Sequence, residues 1–363
     1  MSESVIWYAD IRDIGSISDL TSKSMLSAAE CRRIAEFRFE EDQKRSLLSL
    51  LLQHSCIRSY LNPKKAALIY EIARVVEGKP FLKVASINYT PSSPRTDSIQ
   101  HKLGTWNYNV SHHGHYVCIA SHPHLLIGVD IVDLSTRSPK LASTANEYIN
   151  MFTKVLHPRE QQRLSQCASE EEKYTLFFII WCLKESYIKA IGIGLGLDLK
   201  SMEFKIEYKI DVREKKLNNE EMTDNDGSEK KDVHYEEHSQ QHCGTAIVYV
   251  DDEHCVDWFF EFFPLDSTHI MSVAVGPLND ASTSYKQGAW RHVDEEGMAE
   301  KVTECDVVLH KVRQEGIFSV LSGVIKQPLK ALMKITENEE GKETGDDTAG
   351  NAEGRGPSKC VIV

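Results

Sequence analysis

The stretch from Leu176 to Leu197, LFFIIWCLKESYIKAIGIGLGL, constrains this chain most: a strongly apolar run passes without a break into a charged helix and stops at three alternating glycines. If Leu176–Ala190 is helical, Trp181, Glu185 and Lys189 share one stripe, while Leu183, Tyr187 and Ala190 turn toward another. On a solvated helix a Glu–Lys pair one turn apart is worth only a few tenths of a kcal/mol. Here the preceding turn is too apolar to be solvated, so Glu185 and Lys189 are expected at the edge of a core or cleft. Gly192, Gly194 and Gly196 do not make a dinucleotide fingerprint, because the sixth position is Leu197 and no strand precedes them. They read as a helix C-cap and a turn into the next strand.

With 363 residues the chain can hold one large domain or two ordinary ones. Glu3, Asp10, Arg12 and Asp13 interrupt the first twenty residues, so no secretory leader is expected, and no run is long enough for a membrane-spanning helix. Nine cysteines, without any C-x-x-C spacing, suggest reduced thiols and a cytosolic setting. The net charge of −12 argues against nucleic acid as a partner. Much of that charge sits in two segments: residues 211–242 hold 10 acids against 5 bases, and 281–363 hold 14 against 11.

Ser27–Tyr60 has helical periodicity and carries Arg32, Arg33, Arg38, Lys44 and Arg45. Asn62-Pro63 suggests a helix start over Lys64–Tyr70, and Arg74–Leu82 reads as strand, turn and strand around Glu77-Gly78. Beyond a proline-rich loop at Thr90–Gln100, three short strands are expected at Asn107–Val110, Tyr116–Ala120 and Leu125–Ile131. In the last, Gly128, Asp130 and Val132 share the face opposite Ile127, Val129 and Ile131. Residues 147–190 read as helical with a fresh start at Pro158. Strands are expected at Met202–Ile210, Ala246–Val250, Trp258–Phe263 and His269–Val275, with a polar insertion at about 211–242 and a fold ending near Pro277. His112, His113, His115, His122 and His124 crowd one region, but without helical HExxH spacing or a cysteine partner. Phosphate contact by one of them beside Ser111 is the better reading.

Taken together, NVSH at Asn109–His112, GVDI at Gly128–Ile131 and WCLKES followed by Lys189 resemble the three signatures of the 4′-phosphopantetheinyl transferases, in the long stand-alone type that includes activators of surfactin synthetase. GKP at Gly78–Pro80 and the basic helix near Arg33 agree, so the resemblance covers roughly residues 5–277. It implies an α+β fold of two similar α/β halves about a pseudo-twofold axis, residues 5–124 and 125–277, with coenzyme A between them. It implies a holo-acyl-carrier-protein synthase that moves phosphopantetheine from coenzyme A to a serine of an apo acyl carrier domain, releasing adenosine 3′,5′-bisphosphate. By the same resemblance Asp130 and Glu185 would hold Mg²⁺, Glu185 would also deprotonate the serine directly or through water, and Lys189 would neutralise the departing phosphate. Arg33, Arg74, Gly78, Lys79, Asn109, Ser111 and His112 match positions that grip the nucleotide and diphosphate. Fatty acid synthase, a mitochondrial acyl carrier and an aminoadipate reductase are the carriers implied, and a monomer is expected. One departure stands out: many bacterial relatives have a glutamate two residues after the motif aspartate, where this chain has Val132, as animal members also lack it.

The resemblance leaves residues 278–363 unexplained, and these are expected to be a flexible extension. Glu315–Ile335 has the apolar spacing of an amphipathic helix with Lys326, Lys330 and Lys334 on one stripe, suited to an acidic membrane surface or to packing on the domain. The terminal Cys360-Val361-Ile362-Val363 has the C-a-a-X form, which raises lipidation of Cys360 and peripheral membrane association, although valine is an atypical last residue. Two competing readings remain at this level: a non-catalytic coenzyme A or carrier-protein binding module, motivated by Val132 and the extension, and a histidine-rich metal protein.

Overall fold

The structure is a computed structural model that describes residues 4–24, 26–61, 67–88, 103–136, 144–209, 243–315, 324–327 and 360–362. Strand β1 (Val5–Asp10) leads to helices α1 (Ile17–Lys23), α2 (Ala28–Ala35) and the 22-residue α3 (Glu40–Leu61). Ser27 and Glu30 form a reciprocal capping box that starts α2. Next come β2 (Ala67–Arg74) and β3 (Pro80–Asn88), then β4 (Asn107–His113), β5 (Tyr116–His122) and β6 (Leu126–Asp133). The expected helix over Lys64–Tyr70 is corrected where it is described: Ala67–Tyr70 is strand, paired with β3 from Ala67↔Asn88 to Arg74↔Pro80. A partner strand outweighs the weak helix signal of a proline.

Helices α4 (Ala145–Asn150), α5 (Pro158–Gln166) and the 22-residue α6 (Glu170–Ile191) follow, with Pro158 opening α5. Strands β7 (Met202–Lys209), β8 (Cys243–Val250), β9 (Glu253–His254), β10 (Phe259–Pro264) and β11 (His269–Gly276) complete the second half. The loop at 90–100 and the insertion at 211–242 lie outside the described residues.

Two sheet-rich halves result, each with a long helix against its sheet. In the first, β1, β5 and β4 lie side by side under α3; in the second the order is β6-β11-β10-β8-β7, with α6 packed across β6 and β11. Leu47, Leu51, Tyr108 and Ile119 are fully or nearly fully buried in one core, and Ile127, Phe177, Phe260 and Val273 in the other.

The seam between the halves is built from side chains. Asn107 Oδ1 accepts from Ile127 N (3.1 Å), Asn109 Oδ1 from Val129 N (2.9 Å) and His113 Nδ1 from Asp133 N (3.2 Å). Three side chains of β4 thus satisfy three N–H groups of β6 at a constant offset of 20 residues, which ties the two sheets together.

Gly128 sets how closely α6 approaches β6. A Cβ there would lie 1.9 Å from Ser186 O and 2.6 Å from Ala190 N, both backbone atoms. Gly128→Ala is therefore expected to destabilise the fold by about 3 kcal/mol, the upper end for overpacking, measured by urea denaturation; a loss within experimental error would show that α6 can shift freely.

The chain does not end its fold near Pro277. Helices α7 (Thr283–Ala289) and α8 (Glu295–Glu315) pack on the second core through buried Tyr285, Trp290, Cys305, Leu309 and Val312. The expected flexible extension from 278 is thereby corrected over 283–315. The expected helix at 315–335 falls mostly outside the described residues; where it is described it is corrected, since β12 (Val324–Lys326) runs parallel to β1, Ile6 opposite Val324. An open edge of β1 offers backbone partners that an isolated helix lacks. A short β13 (Cys360–Ile362) pairs antiparallel with β2.

Candidate active site

Helix α6 carries the charged stripe expected from sequence, and its glycine cap is seen: Gly192 has φ +77° and its N–H bonds Ile188 O at 2.8 Å. Because Gly128 lets this helix lie against β6, Lys189 reaches Asp130 on the strand. Lys189 Nζ donates to Asp130 Oδ1 and to Ser111 Oγ (2.9 Å), and Ser111 Oγ donates to the same Asp130 oxygen at 2.7 Å. Burial acts to lower the Lys189 pKa, but Asp130 and then Glu185 outweigh it, so the group is raised and stays an ammonium at neutral pH. Glu185 moves up: burial raises its pKa, Lys189 pulls it back and the like charge of Asp130 adds to the rise.

Of these groups, Glu185 and Lys189 border a cavity of about 330 Å³ lined also by Arg74, Glu77, Gly78, Lys79, Asn109, Val110 and Ile188, together with Pro80, Gly192 and Gly194. Arg74 Nη1 donates to Gly78 O (2.8 Å), bracing the turn, in which Gly78 has φ +95°. Burial lowers the Arg74 pKa, and the charge of Arg33, exposed on α2 and outside the cavity lining, lowers it further. A cation in the cavity wall suits an anion. His112 is exposed at the end of β4, its pKa lowered first by desolvation and then by Lys189.

Lys79 is the exception among the expected phosphate grips. Its ammonium is buried, donates to Ala190 O (2.6 Å) and Ile127 O (3.1 Å), and lies 4.8 Å from the centre of the Tyr285 ring. Burial pushes its pKa down to about 7. Its nitrogen is thus committed to two carbonyls, one of them in the last turn of α6, and holds that helix rather than facing the cavity. Asn109 likewise spends its amide oxygen on the seam to β6.

Asp130 and Glu185 are the two carboxylates a metal ion would need. Glu185 feels the charge of Asp130 and has no hydrogen-bond partner among the described residues, a half-buried anion that a divalent cation would satisfy. Val132 is buried in the core, so it adds no ligand. The clustered histidines have other uses: His122 Nδ1 accepts from His124 N and Leu125 N (both 3.0 Å), and burial pushes its pKa down to about 3. Cys360 lies in β13, paired with β2.

Sequence reasoning gave no role to Asn107, Gly128, Lys184 or Glu77. The alternation of two asparagines in an otherwise apolar strand, and a lysine inside a buried helix, were the available signals.

Residues 126–250 match the profile described as the 4′-phosphopantetheinyl transferase superfamily, and residues 18–124 match that of its N-terminal region. The two matches meet between β5 and β6 and together cover more than half of the chain. This chain belongs to the 4′-phosphopantetheinyl transferase superfamily.

Among similar proteins, the L-aminoadipate-semialdehyde dehydrogenase-phosphopantetheinyl transferase of Xenopus laevis is 28% identical over 250 residues, 69% of this chain and 68% of that protein. A phosphopantetheinyl transferase of Thraustochytrium sp. is 29% identical over 66% of this chain and 72% of its own length. The Mus musculus protein of the same name as the Xenopus one is 28% identical over 70% and 69%. Relatives named as transferases do not favour the non-catalytic module.

Proposed function

We propose that this protein transfers the 4′-phosphopantetheine arm of coenzyme A to a serine hydroxyl of apo carrier domains. The observation that carries the reading is the meeting of Glu185, Lys189, Asp130 and Ser111 at one cleft of a transferase fold. In the reaction the serine oxygen attacks the phosphorus bearing the pantetheine arm, and the bond to the bridging oxygen breaks. Glu185, its pKa raised by burial, accepts the serine proton. Lys189, kept as an ammonium, donates a hydrogen bond to the leaving oxygen of adenosine 3′,5′-bisphosphate. Arg33 and Arg74 supply positive charge for its phosphates. Mg²⁺ held by Asp130 and Glu185 would supply charge neutralisation at the diphosphate.

Incubation with an apo acyl carrier protein, coenzyme A and Mg²⁺ should raise the carrier's intact mass by one phosphopantetheine, and chelation should abolish the gain. Carriers of the fatty acid synthase, mitochondrial and aminoadipate reductase types would rank the substrates. An unmodified carrier in every case, despite coenzyme A binding, would sink the reading.

We further propose a cytosolic monomer, with the C-a-a-X form of Cys360–Val363 offering a lipid attachment at Cys360. Support for the last is the sequence alone. Intact mass of the C-terminal peptide from the native source tests it: an unmodified Cys360 with Val363 intact ends the lipid reading.

A further inference from the structure

Glu77 is the second acid, beside Glu185, in a cleft that also carries Arg74 and Lys189, and it is held there. Its Oε2 accepts from Ser284 Oγ of α7 at 2.6 Å, while Oε1 has no hydrogen-bond partner among the described residues. The turn that carries it is fixed by Gly78 N→Val75 O (2.9 Å), Val75 N→Lys79 O (3.1 Å) and the Arg74 bond to Gly78 O. Helix α7 is itself tied to the end of α6, Ser282 N and Oγ donating to Ile191 O and Gly192 O, both at 2.9 Å.

Position along the cleft decides what such a carboxylate can meet. The cavity follows α6 from Glu185 through Lys189 to Gly192 and Gly194, and a Cβ at Gly194 would lie 3.1 Å from Glu77 Cβ. Glu77 therefore stands past the helix cap, at the end away from the reacting groups. A carboxylate cannot face a phosphate, and the ribose 2′-hydroxyl of coenzyme A is adjacent to the 3′-phosphate. The remaining hydrogen-bond donor of the nucleotide is the exocyclic amine of adenine. We propose that Glu77, oriented by Ser284, is the residue that selects the adenine base by accepting a hydrogen bond from its amine. This rests on the coenzyme A reading above and assigns the base-recognising residue within it.

Calorimetry with adenosine 3′,5′-bisphosphate and inosine 3′,5′-bisphosphate tests the assignment, because the inosine compound carries a carbonyl in place of the amine. The wild-type protein should bind the adenosine compound about tenfold or more tightly, since a carbonyl facing a carboxylate leaves both acceptors unpaired. In Glu77→Ala the ratio should fall to within about threefold, and in Glu77→Gln it should fall further or invert, because the amide can donate to the inosine carbonyl. Ser284→Ala should lower the ratio part of the way. A merely structural Glu77 would weaken both nucleotides alike, and a ratio unchanged in Glu77→Ala while carrier modification proceeds overturns the proposal alone. Failure of the wild type to bind either nucleotide overturns it together with the coenzyme A reading.

Discussion

Glu185→Gln should lose carrier modification by about 10³-fold, the middle of the range for removing a positioned base, while the protein becomes no less stable. The two halves of this result have one cause. Glu185 is a half-buried carboxylate beside Asp130 with no donor of its own, so folding raises its pKa above the ordinary 4.5. An acid raised in the folded state costs stability wherever it is ionised. That cost is fully present above the folded pKa and vanishes as the pH falls through it toward 4.5. The glutamine variant should accordingly unfold at a slightly higher denaturant concentration than wild type at pH 7, and the difference should close below pH 4.5. Single-turnover mass spectrometry of the carrier and urea titrations at both pH values check the pair. Retained transfer within tenfold of wild type would remove Glu185 from the chemistry.

Lys184→Met is expected to cost about 3–5 kcal/mol, because it breaks a buried ion pair from one side. The Lys184 ammonium is 2% exposed and bonds Glu160 Oε2 (2.8 Å), Leu199 O (2.7 Å), Met202 O (2.9 Å) and Val155 O (3.0 Å). Burial lowers its pKa, and the facing charge of Glu160 works against that. Without it, Glu160 would keep a fully buried negative charge, eased among the described residues by Phe204 N and His157 N. Lys184→Met with Glu160→Gln should recover at least half of the loss, since the neutral amide retains an acceptor for Phe204 N while removing the charge. Urea denaturation followed by tryptophan fluorescence measures both, and a single-variant loss below about 1 kcal/mol would contradict the ion-pair account. Transfer should fall in parallel, because Lys184 fixes the helix whose next residue is Glu185.

The adjacency of these two residues shows how far the chain could be read directly. Glu185 and Lys189 were legible because four-residue spacing on a helix is a local property, and Asp130 because strand alternation sets it apart from Ile127, Val129 and Ile131. The β-strands from Asn107 to Ile131 were legible from β-branched and aromatic runs. The region past Pro277 was not, since Met298, Lys301, Cys305, Leu309 and Val312 keep helical spacing but include few large apolar side chains, and their burial depends on the second core. The strand at Val324–Lys326 depends on the edge of β1, more than three hundred residues away in sequence.

Sequence by itself determined the family and the order of its motifs and named the candidate reacting groups, because these rest on residue type and short spacing. Only the tertiary structure decided which cations face the cleft. Lys189 does, whereas Lys79 and Lys184 have their ammonium groups turned onto backbone carbonyls inside the protein. All three are lysines near motif positions, and a buried charge is governed by the acceptors that distant segments bring to it. The same holds for Gly128, whose missing side chain matters only because α6 lies on it, and for Glu77, whose direction is set by Ser284 from a helix that the motifs do not reach.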